Sequence, residues 1–425
     1  MKGLILAAPA SGAGKTTITL GLLRALKRAG HGVRSAKSGP DYIDPQFHAA
    51  ATGQPCINLD AWAMKPDRLT NLAAGPDDLL VEGAMGLFDG APDGTGSTAD
   101  LAKTLNLPVV LIVDAKAMSQ SVAALVAGFA NHDPRVSVAG IILNRMGSDR
   151  HRAMLETALA PLGIPVLGAI PRTDTLARPS RHLGLVQAGE MPDLDGFLNT
   201  AADLMSRHID LAALRGLMRP LPAAGQGIAP VGRARRTIAV ARDAAFSFLY
   251  PHQLADWQAK GHRVRFFSPL ADDPVPEEAD RIFLPGGYPE LYAAQLAANK
   301  TFIQSLRNAA QYIDIYGECG GYMTLGEILI DADGTQHKMA GLLGLTTSFA
   351  TRKLHLGYRR LQGLTDQPHL GKSYTAHEFH YATTLDAQGT PLFAAHDAEG
   401  RDLGLTGLSE GRVAGSFAHI IDVAG

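Results

Sequence analysis

The sequence has few cysteines, little net charge and no long apolar run, and each lack excludes a class of protein. Only two of its 425 residues are cysteine, which excludes a disulfide framework and favours a reducing cytoplasm. The formal net charge of −2 gives no sign of a nucleic-acid or membrane-surface partner. No apolar run is long enough to span a bilayer. The composition, 19% charged and 46% hydrophobic, is that of globular and not of disordered proteins.

The length and the order of the patterns predict two α/β domains. A chain of this length exceeds one ordinary core, and two domains of roughly 200 residues each are expected. Apolar runs of strand length, such as "DLLVEG" and "PVVLIVDA", alternate with helical stretches, as in parallel sheets buried on both faces. Residues 215–236 are rich in Pro, Gly and Ala and predict a linker. We therefore expect domains over residues 1–214 and 237–425, the second ending in a strand-rich part.

A glycine-rich loop in "AAPASGAGKTT", residues 7–17, predicts a phosphate-binding site. It lies between a predicted strand and a predicted helix, where backbone N–H groups and a helix N-terminus can bind phosphate. The candidate nucleotide-binding residues of the loop are Gly12, Gly14, Lys15, Thr16 and Thr17. The usual first glycine of the P-loop pattern is replaced by Pro9, so a chance glycine-rich turn is the alternative.

Acidic residues and a lysine follow later predicted strands. Glu82 ends "DLLVEG", and Lys37, Asp41 and Asp44 lie in "AKSGPDYIDP". Together with the Thr16 hydroxyl, Asp44 and Glu82 are the predicted Mg²⁺ ligands. Lys37, Asp41 and Asp44 are the candidate catalytic groups for phosphoryl transfer.

Two of these interpretations have structural alternatives. Asp41 and Asp44 could instead be turn and cap residues around the neighbouring prolines. Asn144 ends "GIILNR", where we expect it to hydrogen-bond a nucleotide base edge. It could equally be a strand-end asparagine in a turn.

The stretch "IYGECGGYM", residues 315–323, places a cysteine among glycines. Cys319 would lie on a sharp strand-to-helix turn, the geometry of a nucleophile elbow. We expect the following helix N-terminus to lower the pKa of the thiol and to offer oxyanion donors. The candidate oxyanion donors are Gly286, Gly287 and Gly320. A buried structural thiol is the alternative, and Cys56, in "GQPCINLD", is predicted to be structural.

A cysteine nucleophile also requires a base. The candidates are His355, His377, His380 and His419. His419, in "GSFAHIID", is favoured because it follows a small-residue strand near the C-terminus.

The motifs of both halves resemble those of known enzyme families. "GECGGYM", "LPGGYPE" and "SFAHI" resemble a class I-like glutamine amidotransferase domain. "SGAGKTT", "KSGPDYIDP", "VEGAMGLFDG" and "ILNR" look like the dethiobiotin-synthetase-like ATP-dependent ligases. Joined in this order over nearly the whole chain, they are similar to the cobyrinic and hydrogenobyrinic acid a,c-diamide synthases of cobalamin biosynthesis. The fold implied is α/β throughout, a mostly parallel, doubly wound P-loop sheet followed by a glutaminase-like domain.

The resemblance implies an ATP- and Mg²⁺-dependent amidation with L-glutamine as nitrogen donor. Cys319, assisted by His419, would release ammonia through a thioester, and ammonia would displace phosphate from acyl phosphates formed on the a and c acetates of a corrin ring. Ordinary class I amidotransferases carry Glu two residues after the catalytic His, where this chain has Ile421. We therefore expect a Cys–His dyad, with Asp422 a poor substitute for the missing acid.

A ring bearing several carboxylates requires cationic contacts, for which arginine is well suited. The predicted substrate-binding residues are Arg178, Arg181 and Arg352. We also expect a homodimer and a cytoplasmic location.

Other acceptors and one other class stay open. Cobyric acid synthases and nickel-sirohydrochlorin a,c-diamide synthases share the chemistry, although "GPDYIDP" and the chain length favour the a,c-diamide group. The motifs do not separate hydrogenobyrinate from cobyrinate. The different class is a regulatory P-loop ATPase with an inactive glutaminase-like domain.

Overall fold

The computed structural model describes residues 1–173, 188–223, 225, 235–364 and 373–424. They form two compact units, Met1–Gly227 and Ile228–Gly425, and each unit is described by itself. No helix in the described part of the chain is long and apolar enough to cross a membrane.

One sheet of eight strands organises the first unit. Its strands are β1 (Lys2–Ala7), β2 (Val33–Ser38), β3 (Ile57–Leu59), β4 (Asp78–Glu82), β5 (Val109–Asp114), β6 (Val138–Met146), β7 (Val166–Pro171) and β8 (Arg219–Pro220). The order is β3-β2-β4-β1-β5-β6-β7, and all of these strands run parallel. The short β8 pairs antiparallel with β1. Part of the segment 215–236 thus belongs to the first unit's sheet.

Helices follow most of these strands. They are α1 (Lys15–Arg28), α2 (Asp44–Thr52), α3 (Pro66–Ala73), α4 (Thr98–Leu105), α5 (Ser121–Asn131), α6 (Asp149–Leu159), α7 (Leu194–His208) and α8 (Leu211–Leu217). Leu4 and Leu6 of β1 pack in one cluster with Ile18 and Leu22 of α1, and Ile5 between them is also fully buried. A strand buried on both faces has an unbroken apolar sequence, as β1 does after Lys2. The parallel strands and the helices that follow them confirm the prediction of a parallel α/β sheet.

The parallel direction determines where the first unit's polar residues meet. The loops after β1, β2, β4 and β6 leave the same edge of the sheet, because carboxyl ends of parallel strands share one edge. The glycine-rich loop, Lys37, Glu82 and Asn144 therefore converge although they lie far apart in sequence.

The described residues of the second unit form two sheets. Its strands are β9 (Thr237–Ala241), β10 (Arg263–Phe267), β11 (Arg281–Leu284), β12 (Asp314–Glu318), β13 (Ile328–Ile330), β14 (Gln336–Lys338), β15 (Gly344–Ser348), β16 (His355–Gly363), β17 (Ser373–His380), β18 (Thr383–Gln388), β19 (Thr390–His396), β20 (Asp402–Glu410), β21 (Val413–Ser416) and β22 (Ala418–Val423). The order is β10-β9-β11-β12-β21-β20-β19-β16-β17-β22 in the larger sheet and β14-β13-β15-β18 in the smaller.

The larger sheet begins parallel and ends antiparallel. β10, β9, β11, β12 and β21 are parallel neighbours, whereas β20, β19, β16, β17 and β22 pair antiparallel. The helices are α9 (Pro251–Ala259), α10 (Ala293–Ala298), α11 (Lys300–Ala309) and α12 (Gly320–Leu325). The predicted α/β order and the strand-rich C-terminal part are thus both present.

Side-chain alternation gives the larger sheet a core on each face. Ala239 and Ala241 of β9 belong to one buried cluster, while Ile238 and Val240 of the same strand belong to another. The central strands are therefore held from both sides, which fixes the position of the turn that follows β12.

Candidate functional site

The glycine-rich loop of the first unit is built for close backbone approach. Gly12 and Gly14 have φ of +81° and +92°, a conformation that favours glycine. A Cβ on Gly14 would lie 2.3 Å from Nδ2 of Asn144. That same nitrogen donates to the Ala13 carbonyl at 2.8 Å. Asn144 therefore contacts the loop itself, and contact with a base edge stays a prediction.

Lys15 begins α1 and folds over the loop. Its side chain is buried, and Nζ donates to the Ala10 carbonyl at 3.2 Å and to the Met85 carbonyl. Burial, with the Lys37 charge, lowers the pKa of Lys15 although the Glu82 carboxylate acts to raise it. Thr17 lies in the first turn of α1 and is half-buried.

A lysine and three carboxylates form a cluster beside this loop. Nζ of Lys37 lies 2.7 Å from Asp44 and from Glu82, and 3.7 Å from Asp41. Burial acts to lower the pKa of Lys37, but these carboxylates together hold that pKa well above its ordinary value. Burial also acts against ionised Glu82, yet Lys37 and His48 hold the pKa of that carboxyl below its usual range. The cluster is therefore an ion-pair network inside the protein.

The Thr16 hydroxyl joins the predicted metal ligands in one place. It donates to Glu82 at 2.6 Å and to Asp44 at 3.2 Å. A hydroxyl and two carboxylates are hard oxygen donors, the set that Mg²⁺ prefers. The residues present therefore fit a magnesium site.

Asp41 has a supporting place in this cluster. Its Oδ1 accepts from the backbone N–H groups of Ile43 and Asp44, and burial with the Asp44 charge raises its pKa. Asp41 thus makes the turn hydrogen bonds that were its structural alternative. Its other oxygen lies 3.7 Å from Nζ of Lys37.

His48 is a member of this site that the sequence analysis missed. Its Nε2 lies 2.7 Å from the second oxygen of Glu82, and its Nδ1 lies 3.5 Å from the Cys56 sulfur. Burial opposes the charged ring, but Cys56 and Glu82 raise the pKa of His48 to about 10. The signal was present, because His48 lies four positions after Asp44, which places both on one face of α2.

In the second unit, Cys319 occupies a strained turn between β12 and α12. Its φ of 45° and ψ of −102° are rare for a residue with a side chain. Its N–H donates to the Ser416 carbonyl at 2.8 Å, which ties the turn to β21. A Cβ on Gly321 would lie 2.0 Å from the Leu284 carbonyl oxygen. The glycines are therefore required by packing, as the elbow geometry predicts.

The expectation of a lowered thiol pKa at Cys319 is wrong. The side chain is buried, and this burial, followed by the Glu290 carboxylate, raises the pKa well above its ordinary value. The Gly320 N–H acts in the expected direction but is outweighed. The resting thiol is therefore neutral, and as the predicted nucleophile it would need a base.

His419 of β22 reaches the same place as Cys319. A Cβ on Gly286 would lie 2.3 Å from Cε1 of His419 and 3.2 Å from Cβ of Cys319. Only a residue without a side chain fits between the two groups. Burial, with His377 and His380 nearby, lowers the pKa of His419 to about 3, so the ring is neutral and can accept a proton.

The other candidate bases have different surroundings. His380 lies 2.8 Å from Glu378 and stacks between His355 and Phe417. His377 pairs across the strands with His419. The thiol sulfur lies 4.0 Å from the carbonyl oxygen of Phe379, so β17 forms one wall of the site.

The candidate oxyanion donors surround the thiol in different ways. The Gly287 nitrogen lies 3.0 Å from where a Cβ on Gly320 would be, so these two backbones are in contact beside Cys319. Gly286 holds Phe248 through its carbonyl and gives His419 its space. All three glycines thus lie close to Cys319.

Of the three predicted arginines, the structure describes Arg352. Arg352 is exposed in the segment before β16, and Arg178 and Arg181 lie outside the described residues. Arg359 instead ion-pairs with Glu378 at 2.7 Å. Corrin binding by arginine therefore stays a prediction.

Family models match both units of the chain. A model described as the CobQ/CobB/MinD/ParA nucleotide binding domain matches residues 4–186. A model described as the CobB/CobQ-like glutamine amidotransferase domain matches residues 237–423.

Full-length relatives agree with these matches. Relatives named hydrogenobyrinate a,c-diamide synthase include those of Brucella anthropi, 54% identical over 100% of this chain and 99% of the relative, and of Sinorhizobium sp, 53% identical over 100% of both. The relative of that name from Rhodobacter capsulatus is 50% identical over 99% of this chain and 98% of the relative.

Solved structures give weaker matches. The MinD cell division protein of Aquifex aeolicus is 15% identical with a TM-score of 0.34, over 52% of this chain and 100% of that one. A structure described as a glutamine amidotransferase is 13% identical with a TM-score of 0.30, over 43% of this chain and 89% of that one. Values this low carry no functional argument.

Proposed function

Because this chain belongs to the hydrogenobyrinate a,c-diamide synthase family, we propose that it converts the a and c acetate carboxylates of hydrogenobyrinic acid to amides. ATP supplies the activation and L-glutamine the nitrogen. The chain is a glutamine-hydrolysing carbon–nitrogen ligase of cobalamin biosynthesis, with a nucleotide-binding and a glutamine amidotransferase domain.

The first unit activates the carboxylate. A carboxylate has no good leaving group at neutral pH, and an acyl phosphate provides one. Lys15 and the loop backbone bind the ATP phosphates. Thr16, Asp44 and Glu82 would hold Mg²⁺, which when bound neutralises phosphate charge. Lys37, kept protonated by its carboxylates, stabilises charge on the transferring phosphoryl group.

The second unit supplies ammonia. The Cys319 Sγ–H bond breaks as the proton moves to His419, and the sulfur electron pair adds to the amide carbon of glutamine. The backbone N–H groups of Gly287 and Gly320 are placed to stabilise the oxyanion. The proton returns to the leaving nitrogen, ammonia departs, and water hydrolyses the thioester to glutamate.

One observation carries this proposal. The first unit holds an oxygen-donor cluster beside a phosphate loop. In the other unit, a buried cysteine and a buried histidine lie on either side of Gly286. Neither site alone makes an amide from glutamine. A regulatory ATPase would not require the strained, glycine-lined turn at Cys319.

Mass spectrometry of the ring products tests the proposal. Hydrogenobyrinic acid and cobyrinic acid are each incubated with the full-length protein, ATP, Mg²⁺ and glutamine. We expect two successive mass decreases on hydrogenobyrinic acid, each that of a carboxyl group becoming a carboxamide. Conversion of cobyrinic acid alone would reassign the acceptor, and ATP hydrolysis with neither ring changed would contradict the proposal.

Assembly and location are also proposed. Both cysteines are free thiols in the structure, which suits the reducing conditions of a cytoplasmic enzyme. A homodimer is proposed as the state of the protein in solution, and light scattering would test it.

A further inference from the structure

The glutaminase site lacks an acid where class I amidotransferases carry one. Ile421 occupies that position and is buried, and its carbonyl accepts from His252 at 2.9 Å. Asp422 lies next to it, and its Oδ1 accepts from the N–H of Val423. Another carboxylate would have to orient the His419 ring and balance the charge it gains.

Glu318, the residue before the nucleophile, faces His419. One of its oxygens accepts from the Ile420 N–H at 3.1 Å, and the other lies 3.8 Å from Nδ1 of His419. Both side chains are almost fully buried, with 2% and 0% exposed. The carboxyl of Glu318, a β12 residue, is therefore held against β22, the strand that carries His419.

The strained turn at Cys319 explains how Glu318 and Cys319, although adjacent in sequence, contact different strands. Because Cys319 has a positive φ, the chain turns sharply after Glu318. The Glu318 side chain then lies toward β22 while the Cys319 sulfur lies near the Phe379 carbonyl. A regular continuation of β12 would point the two side chains to opposite faces.

We infer that Glu318 is the third member of the glutaminase site, a positioning residue that orients His419 through Nδ1 and compensates the charge of its protonated ring. Nε2 is then the nitrogen that takes the proton from the Cys319 thiol. The 3.8 Å separation exceeds a hydrogen bond, and such contacts often shorten when substrate binds. This inference rests on the glutaminase half of the proposed function.

At rest, the carboxylate that acts to raise the pKa of His419 is that of Glu378, so the charge of Glu318 would have to develop during the reaction. Burial raises the pKa of Glu318 to about 8, with the Ile420 N–H acting against the shift. At neutral pH both groups are therefore largely uncharged at rest. A positive charge on His419 favours ionisation of the carboxyl beside it, so Glu318 supplies a negative charge only when the base is protonated. The titratable or charged groups around the pair are Tyr316, Cys319, Glu290, His377, Glu378, His380 and Arg359.

The test compares Glu318→Gln with Asp422→Asn in the full-length protein. For Glu318→Gln we expect kcat for glutamine hydrolysis to fall on the order of 100-fold, as for loss of general-base assistance, with KM for glutamine within about twofold. The wild-type pH dependence of kcat should flatten. Amidation with ammonium should persist, which shows that the protein is folded. Asp422→Asn should match the wild type in every assay.

A second variant separates charge from packing. Glu318→Asp keeps an ionisable group but withdraws it by one methylene, so it should retain more glutaminase activity than Glu318→Gln and keep a pH-dependent kcat. Equal activity of the Asp and Gln variants, or a wild-type rate and pH profile in Glu318→Gln, would overturn the inference. Failure of the wild type to amidate with either donor would contradict the proposed function, whereas the glutamine hydrolysis data would still decide the role of Glu318.

Discussion

The two sites of this protein handle buried polar groups in opposite ways. In the first unit, Lys37, Asp44 and Glu82 are ionised and paired with one another. In the second, Cys319 and His419 are kept neutral by burial. Binding a polyanion and a cation requires fixed charge, while proton transfer requires groups that change charge during the reaction. The difference fits the two chemical tasks that we propose for the sites.

The sharpest separation of the sites is expected from Cys319→Ala. Without the sulfur no thioester forms, so glutamine-dependent amidation should fall to background. Amidation with high ammonium should remain, because the first unit is unchanged. The product is measured by mass spectrometry with each nitrogen donor in turn. Cys56→Ala, assayed at saturating Mg²⁺, is the matched control, and glutamine use that survives in Cys319→Ala would show that the nucleophile lies elsewhere.

Lys15→Ala should damage both routes. The charge that we propose to contact the ATP phosphates is lost, and we expect amidation to fall by at least about 100-fold with glutamine and with ammonium alike. The rate at which Lys15→Ala hydrolyses glutamine, measured without a corrin ring, is the reference activity. Lys27→Ala, in the exposed last turn of the same helix, is the control. Normal ammonium-dependent turnover in Lys15→Ala would rule out the phosphate loop.

A smaller effect is expected from His48→Gln, since His48 is fully buried and contacts Glu82. Loss of such a supporting hydrogen bond should raise the Mg²⁺ concentration for half-maximal ammonium-dependent activity about tenfold. The maximal rate should change less. Cys56→Ala keeps the His48–Glu82 contact and should have the smaller shift. An unchanged Mg²⁺ requirement in His48→Gln would show that the contact has no part in metal binding.

The smallest effect concerns stability against pH. The pKa of Glu318 is raised from 4.5 to about 8, so the folded protein binds more protons than the unfolded chain between these values. Stability from this group is therefore full below pH 4.5 and is lost as pH rises through about 8. Relative to Glu318→Gln, the wild type should lose thermal stability over this window. A difference in Tm that is constant with pH would contradict the raised pKa.

More of the phosphate-loop site than of the Cys319 site could be predicted from the sequence, for a physical reason. Parallel strands bring their carboxyl ends to one edge, so the sequence pattern alone groups Lys37, Glu82 and Asn144. The Glu318–His419 contact depends on how the antiparallel strands return β22 to β12, which no local pattern encodes. The expected direction of the Cys319 pKa shift was wrong because burial, a property of the whole unit, outweighs the local helix end.

Isotope transfer tests the central claim that the two sites serve one reaction. Hydrogenobyrinic acid is incubated with wild-type protein, ATP, Mg²⁺ and glutamine labelled with nitrogen-15 in its amide, in the presence of unlabelled ammonium. Our account predicts that both new amides carry the label in the wild type, and that Cys319→Ala makes the same diamide without label. Unlabelled amides from the wild type, or no amide at all, would contradict it.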